Sequence, residues 1–268
     1  MSTHVTSADG TRIGYRSIGS GPGVVVVPGA LMTGDEYSGL AEKLTGLTAY
    51  PMDRRGRGAS GPQGDAYDVA AECADVAAVL RATGARYVFG HSYGGLVALQ
   101  TALREPGLVD RVAVYEPAVS IDGSMPRAFL PAVTTALGAG REARAMALAF
   151  RGMDLGGPLD RLPLPVTTAA TWLLLRTAGR SMRTALAALP AEITAGLAVD
   201  GPAAQYAPIE ARALVLTGTR GPAWLHTAAT VAEAIPDARH TDLPGLHHGG
   251  PQDAPEKVAA ELVPFFTT

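Results

Sequence analysis

The chain has 268 residues, of which 47% are hydrophobic and 18% are charged, so it can bury a large core and wholesale disorder is excluded. Its net charge of −3 gives no electrostatic reason to expect nucleic acid or an anionic membrane surface as a partner. The expected partner is a small-molecule substrate, and the composition predicts nothing about the oligomeric state.

The single cysteine, Cys73, excludes an internal disulfide and a cysteine cluster for a metal. Its helical spacing from Val69 and Val76 indicates a small buried side chain. The first residues, MSTHVTSADG, lack the basic and then apolar pattern of a signal peptide, and no apolar run approaches the ~18 residues of a membrane span. We therefore expect a cytoplasmic protein without a membrane segment.

In chain order, the first elements are two short runs around Asp9-Gly10, a turn that predicts a β-hairpin. The next strands are predicted from short and mostly apolar runs, as expected for a parallel sheet covered on both faces. These six runs are residues 23–27, 47–52, 86–90, 111–116, 213–218 and 238–243. Helical patterns alternate with several of them, at residues 67–83, 93–104, 223–235 and 255–266. The sequence thus predicts an α/β fold with a mostly parallel, eight-stranded sheet flanked by helices.

The alternation breaks in the segment 118–211, which is too long to be a structureless loop in a compact domain. Four helical patterns occupy it, at residues 127–137, 141–151, 166–177 and 181–189. We therefore expect a core of residues 1–117 and 212–268 with a helical cap inserted at 118–211. Trp172 and Leu173 of this cap are expected to close over a pocket.

The main chemical signal is the segment Gly90-His91-Ser92-Tyr93-Gly94, which follows a predicted strand and precedes a predicted helix. This is the G-x-S-x-G pattern of a nucleophile elbow in the context that the elbow requires. The glycines allow the backbones to approach closely while the central residue is held in a strained conformation. The pattern predicts Ser92 as the nucleophile; a glycine-rich turn with an incidental serine would fit the pentapeptide alone.

With this elbow, the hairpin, the insertion and a late histidine, the chain resembles the α/β-hydrolase superfamily over nearly its full length. The segment DRRGRGAS, residues 53–60, is similar to the D-x-R-G-x-G-x-S loop of that superfamily, which implies a structural turn. Its three arginines could also be interpreted as a basic nucleic-acid motif, but one short run in an acidic chain does not favour that interpretation.

The resemblance implies an oxyanion hole made of two backbone N–H groups. One belongs to Tyr93, which follows the nucleophile, and the other belongs to Ala30 in the loop VVVVPGALMTG. Pro28 stands where the superfamily usually has a histidine, but both donors are backbone groups and are unaffected. A plain Pro-Gly turn would also fit this segment alone. Leu31 and Met32 follow and are expected to line the pocket.

The general base is expected in the segment LPGLHHGGP, residues 243–251. Its similarity to the superfamily's L-P-G-x-x-H selects His248, with His247 as the alternative. Whichever of the two is not the base is expected at the rim of the pocket. His91 is expected to pack or hydrogen-bond beside the nucleophile rather than to act as base.

The expected acid is displaced from its usual place. In many superfamily members an Asp follows the seventh strand in a G-x-x-D pattern, but this chain has GTRG at residues 218–221. Ligand sites of parallel sheets gather outside the carboxyl ends of the strands, and Glu116 ends a predicted strand. The chain resembles certain dehalogenases in this arrangement, so we expect Glu116 to hold the histidine. Asp53 and Asp242 fit less well, and a Ser–His dyad helped by water stays open.

These residues predict a serine hydrolase that cleaves a small ester, lactone or thioester through an acyl-enzyme, with the triad Ser92, His248 and Glu116. Neither a metal nor an organic cofactor is expected. Two alternatives remain open on the same fold. One is a non-hydrolytic enzyme of specialised metabolism, such as a lyase, cyclase or acyl transferase, and the other is a ligand-binding module.

Overall fold

A computed structural model describes residues 3–155, 157–177 and 179–268; Met1, Ser2, Gly156 and Ala178, which belong to the predicted core and cap, lie outside the described residues. The strands are β1 (Thr3–Thr6), β2 (Arg12–Tyr15), β3 (Ile18–Gly19), β4 (Gly23–Val27), β5 (Thr48–Pro51), β6 (Tyr87–His91), β7 (Arg111–Tyr115), β8 (Arg212–Gly218) and β9 (Ala238–Leu243). The helices are α1 (Ser38–Lys43), α2 (Val69–Thr83), α3 (Tyr93–Arg104), α4 (Leu130–Gly138), α5 (Glu142–Met153), α6 (Leu164–Thr177), α7 (Gly179–Leu197), α8 (Ala228–Ala234), α9 (Gly250–Asp253) and α10 (Pro255–Thr267). Short 3₁₀ helices lie at Gly34–Tyr37, Gly157–Arg161, Ala203–Tyr206 and Ala223–Thr227.

The main sheet has the strand order β3-β5-β4-β6-β7-β8-β9, and its pairs are parallel except for β3 with β5. The mostly parallel sheet is therefore confirmed, but the prediction of eight strands is wrong, because seven strands pair in this sheet within the described residues. The N-terminal hairpin, β1 with β2, forms a two-stranded sheet of its own. A single bridge from Tyr15 to Met52, the residue after β5, connects the hairpin to the main sheet.

The strand side chains alternate between two apolar layers, as the two-residue period of a strand requires. In β4, Val25 and Val27 pack in the layer formed with α2, α3 and α8, whereas Val24 and Val26 pack in the layer formed with α1 and α10. Both faces are thus covered, which explains why the central strands β4, β6, β7 and β8 are buried and apolar along most of their length. The carboxyl ends of the parallel strands share one edge of the sheet, and this edge positions the site.

The segment between β7 and β8 contains α4, α5, α6 and α7, as the four helical patterns predict. These helices have an apolar cluster of their own, which also includes Leu31 and Ala118 from loops at the carboxyl edge of the sheet. We refer to this segment, residues 118–211, as the helical insertion. Its apolar side chains therefore pack directly against the loops that follow β4 and β7.

Two helices of the insertion differ from the sequence pattern. Helix α7 was expected to end at Leu189, but it continues past Pro190 to Leu197, with Leu189 and Ile193 packed in the insertion cluster. Helix α6 turns Thr167 and Thr171 inward and leaves apolar side chains outside. Its exposed large apolar side chains are Val166, Trp172, Leu173 and Leu174. Trp172 is 52% exposed and Arg176 stacks over its ring, so the expected pocket position of Trp172 and Leu173 is wrong.

Candidate active site

Ser92 lies at the sharp turn between β6 and α3. Its backbone has φ 55° and ψ −124°, a conformation that a non-glycine residue rarely adopts. A side chain at Gly94 would overlap the main-chain carbonyl of Val27, and one at Gly90 would overlap that of Gly94. The glycines of the elbow are thus required by close contact of β4, β6 and α3, which hold the serine hydroxyl at the edge of the sheet.

His248 follows β9 and faces the serine. Its Nε2 atom lies 3.0 Å from Ser92 Oγ, within hydrogen-bond distance, and its side chain is 17% exposed. The neighbouring His247 is exposed at the rim of the pocket, and its Nε2 atom lies 3.4 Å from Asp253 Oδ2. Of the two histidines that the sequence left open, the structure brings His248 to Ser92.

Glu116 holds the other nitrogen of that histidine. Its Oε2 atom lies 2.7 Å from His248 Nδ1, and its Oε1 atom accepts a hydrogen bond of 2.9 Å from the backbone N–H of Gly218. Glu116 is fully buried at the end of β7, with a positive φ of 41°. The carboxylate fills the space beside Gly221, where a Cβ atom would overlap Oε1 and lie 2.7 Å from the carboxyl carbon.

Backbone strain is concentrated around this edge of the sheet. Among the described residues, five non-glycine residues have a positive φ, and three of them are Leu31, Ser92 and Glu116. Such conformations cost of order 1–3 kcal/mol each and persist where the surrounding structure fixes them. The strained backbone thus marks the loop after β4, the elbow and the end of β7.

His91 connects the elbow to two neighbouring loops. Burial, together with the nearby His248 ring, holds the pKa of His91 well below its ordinary value, so the ring is neutral. Its Nε2 atom lies 2.9 Å from the His248 carbonyl, which can only accept, so Nε2 carries the proton. The Nδ1 atom of His91 is then the acceptor of a 2.6 Å hydrogen bond from the Tyr37 hydroxyl. That hydroxyl in turn accepts a hydrogen bond of 3.0 Å from the Gly29 N–H. His91 thus hydrogen-bonds to Tyr37 and to the His248 backbone from its place next to Ser92.

The loop after β4, which contains Gly29 and Ala30, lies against the elbow. A Cβ atom on Gly29 would lie 3.2 Å from Ser92 Cβ, so this loop and the elbow are in close contact. Among the residues that the structure describes, neither the Ala30 N–H nor the Tyr93 N–H has a hydrogen-bond acceptor. Tyr93 is the first residue of α3, where backbone N–H groups have no partner within the helix. The backbone N–H groups of Ala30 and Tyr93 are thus free to donate to a ligand in this part of the site.

A cavity of about 520 Å³ opens above these groups, and its walls are mainly apolar. The expected residues Leu31, Met32, His91 and His247 all line it, together with Ala30 and Tyr93. The insertion contributes much of the remaining wall: Met125, Pro126, Phe129, Phe150, Met153, Leu155, Pro158, Met182, Leu189 and Ile193. The indole N–H of Trp224, in the loop after β8, donates to the Met153 carbonyl at 2.8 Å and ties that loop to the insertion.

A buried ionic cluster lies beside the cavity, and the sequence reasoning missed it. Arg54 pairs with Glu72 through Nε to Oε2 (2.7 Å) and Nη2 to Oε1 (2.5 Å), and its Nη2 atom lies 3.1 Å from Glu192 Oε1. Arg57 forms an ion pair with the same Glu192. The repeated arginines of residues 53–60 were the available signal, but their partner Glu192 lies 135 or more positions along the chain.

The environment of the cluster shifts the pKa values of its members. Burial is the main cause that lowers the pKa of Arg57 to about 9, and the positive charge of Arg54 is the second cause. Burial alone would raise the pKa of Glu72, but the guanidinium of Arg54 more than offsets this and lowers it. Arg54, Arg55 and Arg57 are all buried and paired with carboxylates, so these three side chains do not form an exposed basic patch.

Two other features are absent from the described residues. No group of three or more His, Cys, Asp or Glu side chains is arranged to hold a metal ion there. Within the same residues, no helix has both the length and the apolar character to cross a membrane.

Comparisons with known proteins agree with this architecture. The family described as "Alpha/beta hydrolase family" matches residues 24–261, and the chain belongs to this family, which confirms the resemblance seen in the sequence. An alpha/beta hydrolase from Sphaerobacter thermophilus DSM 20745 is 33% identical, with a TM-score of 0.81 over 99% of this chain and 100% of that one.

Two further relatives carry more specific names. The esterase RhEst1 from Rhodococcus sp. ECU1013 is 24% identical, with a TM-score of 0.73 over 100% of this chain and 98% of that one, which shows the shared fold. Lipase LipV from Mycobacterium tuberculosis (strain ATCC 25618 / H37Rv) is 32% identical over 117 residues, 42% of this chain and 44% of that protein. The match therefore spans less than half the length of this curated relative.

Proposed function

We propose that the protein is a serine hydrolase that cleaves small esters, lactones or thioesters through a Ser–His–Glu triad. The observation that carries the proposal is the continuous contact from Ser92 Oγ to His248 Nε2 (3.0 Å) and from His248 Nδ1 to Glu116 Oε2 (2.7 Å). The names of the esterase and lipase relatives support an ester-type substrate.

In this proposal, Ser92 attacks the carbonyl carbon of the substrate while His248 Nε2 accepts the hydroxyl proton. The oxyanion that forms receives hydrogen bonds from the N–H groups of Ala30 and Tyr93. His248 then passes its proton to the leaving group, and a water molecule, activated by the same histidine, hydrolyses the acyl-enzyme. No step needs a metal or an organic cofactor.

The role of Glu116 is to accept a hydrogen bond from the Nδ1–H group of His248. A carboxylate in this position fixes the tautomer that leaves Nε2 free to act as base, and it stabilises the imidazolium that forms during the reaction. The Gly218 N–H, bound to the other carboxylate oxygen, keeps Glu116 in place.

We further propose that the helical insertion acts as a cap. Its side chains form much of the cavity wall, and its cluster packs on the loops after β4 and β7. The mainly apolar wall favours a substrate whose acyl or alcohol part is apolar. Substrates would then be selected by the insertion, while the core supplies the chemistry.

The nucleophile is tested with a fluorophosphonate probe on the wild type and on Ser92→Ala. We expect covalent labelling of the wild type, none of Ser92→Ala, and turnover of at least one member of an ester and lactone panel. His248→Ala should lose labelling far more than His247→Ala, since only His248 contacts Ser92. No labelling of the folded wild type would overturn the activated serine, and labelling without turnover would favour a non-hydrolytic or binding role.

The acid is tested by Glu116→Gln. The amide keeps the shape of the side chain but cannot stabilise the imidazolium, so we expect turnover to fall at least ~100-fold. Circular dichroism and a urea melt establish that the variant is folded. Turnover close to that of the wild type would refute the assignment of Glu116.

A further inference from the structure

The peptide group that joins Gly29 to Ala30 is held from its carbonyl side by two buried arginines. The Gly29 carbonyl oxygen accepts from Arg54 Nη1 at 3.3 Å and from Arg57 Nη1 at 3.5 Å. Arg57 Nη1 also donates to the Met32 carbonyl at 3.3 Å. Arg57 thus contacts the loop on both sides of Ala30.

The carbonyl of Gly29 and the N–H of Ala30 belong to the same planar unit. In a trans peptide these two bonds point in opposite directions, so contacts that fix the carbonyl also fix the direction of the N–H. Cationic donors on the carbonyl oxygen polarise the amide and strengthen its N–H as a donor, because hydrogen bonds in a chain reinforce one another. The arginines therefore act on the N–H group that we assign to the oxyanion hole.

The two arginines are themselves held by carboxylates from two parts of the fold. Glu72 lies on α2 in the core, whereas Glu192 lies on α7 of the helical insertion. All four side chains are almost completely buried, and their formal charges balance. Glu192 also lines the cavity, so one residue contacts both the space for the substrate and the charges behind the loop.

Because the formal charges of this cluster balance, the position of each charged side chain depends on the presence of the others. Breaking a buried ion pair by removing one partner leaves an uncompensated charge, which is far more costly than the loss of an exposed pair. Without Glu192, the two positive charges would share only the carboxylate of Glu72. Among the described residues, Arg57 forms its ion pair with Glu192, whereas Arg54 is also paired with Glu72. Arg57 would therefore be the side chain most free to shift.

We propose that Arg57 and Glu192 are positioning residues that set the direction and the donor strength of the Ala30 N–H. Through this pair, the seating of α7 against the core determines how well the oxyanion is stabilised. The inference rests on the proposed function, because it needs an oxyanion to form beside Ala30.

The test compares hydrolysis of an ester with that of the matching thionoester, in which sulfur replaces the carbonyl oxygen. Hydrogen bonds of an oxyanion hole are stronger to oxygen than to sulfur, so the ratio of the two kcat/KM values reports on the hole. For Glu192→Gln, Arg57→Gln and the double variant we expect this ratio to fall about tenfold, with the loss in kcat rather than in KM. In the double variant this ratio should fall no further than in the more affected single variant, because Arg57 and Glu192 act through one contact with each other.

The matched control is Arg55→Gln. Arg55 belongs to the same loop and is paired with buried Asp75 through Nε to Oδ2 (2.7 Å), but it makes no contact with residues 29–32. We expect Arg55→Gln to lower the urea midpoint and to leave the ester-to-thionoester ratio unchanged. The comparison separates the loss of any buried ion pair from the loss of this one.

Arg57→Lys keeps the positive charge beside Glu192 but replaces the planar fork by one ammonium group, which keeps the test open if the other variants do not fold. A lowered ratio in this folded variant supports the proposal. A wild-type ratio in the folded Arg57 and Glu192 variants would overturn it and leave the hydrolase intact. If the wild type has no Ser92-dependent turnover at all, the proposed function fails, and this inference fails with it.

Discussion

At the scale of single residues, Gly221 leaves room for the carboxylate of Glu116, the acid of the proposed triad. The carboxylate of Glu116 occupies the volume that a side chain at position 221 would need. The backbone of Gly221 does not have a positive φ, so its lack of a side chain serves contact rather than backbone conformation. A glycine at the usual place of the acid is thus part of the same arrangement as the buried glutamate.

Gly221→Ala should therefore disable the site although it adds only one methyl group. The new Cβ would overlap Glu116 Oε1, and the carboxylate would have to move away from His248 Nδ1. We expect turnover to fall at least ~10-fold while Ser92 remains in place. The measurement is kcat with the best substrate of the ester panel.

The control for this variant is Gly39→Ala. Gly39 lies on the exposed side of α1, where nothing lies within 4 Å of an added Cβ. It should keep full turnover. Equal activity of both variants would show that Glu116 tolerates a neighbour at 221 and would contradict the steric argument.

Individual site residues were predictable where a local pattern fixes the geometry. The elbow predicts Ser92, because the strand, the turn and the helix all lie within one short segment. Glu116 followed from the position of the strand end together with the absence of an acid in residues 218–221, and the structure brings it to His248. The hydrogen bonds of His91 were not predictable, because their partners Tyr37 and His248 lie on other loops.

At the scale of elements, the strands were the most predictable, because their continuous apolar runs follow directly from burial on both faces. How the hairpin joins the sheet was not predictable, since its sequence does not distinguish a full pairing with the main sheet from the single bridge between Tyr15 and Met52. The end of α7 was misplaced for a different reason. Pro190 predicts a helix end, because proline lacks an N–H and crowds the preceding turn, yet packing of Leu189 and Ile193 outweighs this cost.

The misplaced helix end had a consequence for the site. Glu192 lies in the part of α7 beyond Pro190, so the residue that joins the insertion to the arginines lies outside the helix predicted at residues 181–189. The outward apolar face of α6 was missed because a sequence stripe does not show which side faces the core. There, small threonine side chains pack against α5, as the bond from Thr171 Oγ1 to the Ala143 carbonyl (2.6 Å) shows.

At the scale of the whole molecule, burial of a neutral His91 makes folding stability depend on pH. In the unfolded chain this ring takes up a proton near pH 6.5, whereas in the folded protein burial and His248 keep its pKa well below that value. Below pH 6.5 the unfolded state thus binds more protons than the folded state, and the free energy of unfolding falls as the pH is lowered. The loss from this one group is at most about 1.4 kcal/mol per pH unit.

We therefore expect the stability difference between the wild type and His91→Gln to shrink as the pH falls from 7 to 5. Glutamine has no titrating proton, so the variant lacks this contribution to the slope. Urea melts at several pH values measure the difference, with His4→Gln, on the exposed strand β1, as the control. A difference that is constant across this range would mean that His91 is not held neutral.

The sheet order finally bears on how a triad can change over generations. The strands β7 and β8 are neighbours, with Tyr115 paired to Leu216. An acid that follows either strand would therefore lie within reach of the same histidine loop. The two positions of the acid exclude each other, since a side chain at 221 and the carboxylate of Glu116 need the same volume. A lineage that moves its acid from one strand to the next must therefore exchange both residues, and every single-step intermediate has either a crowded pair or a histidine without a carboxylate.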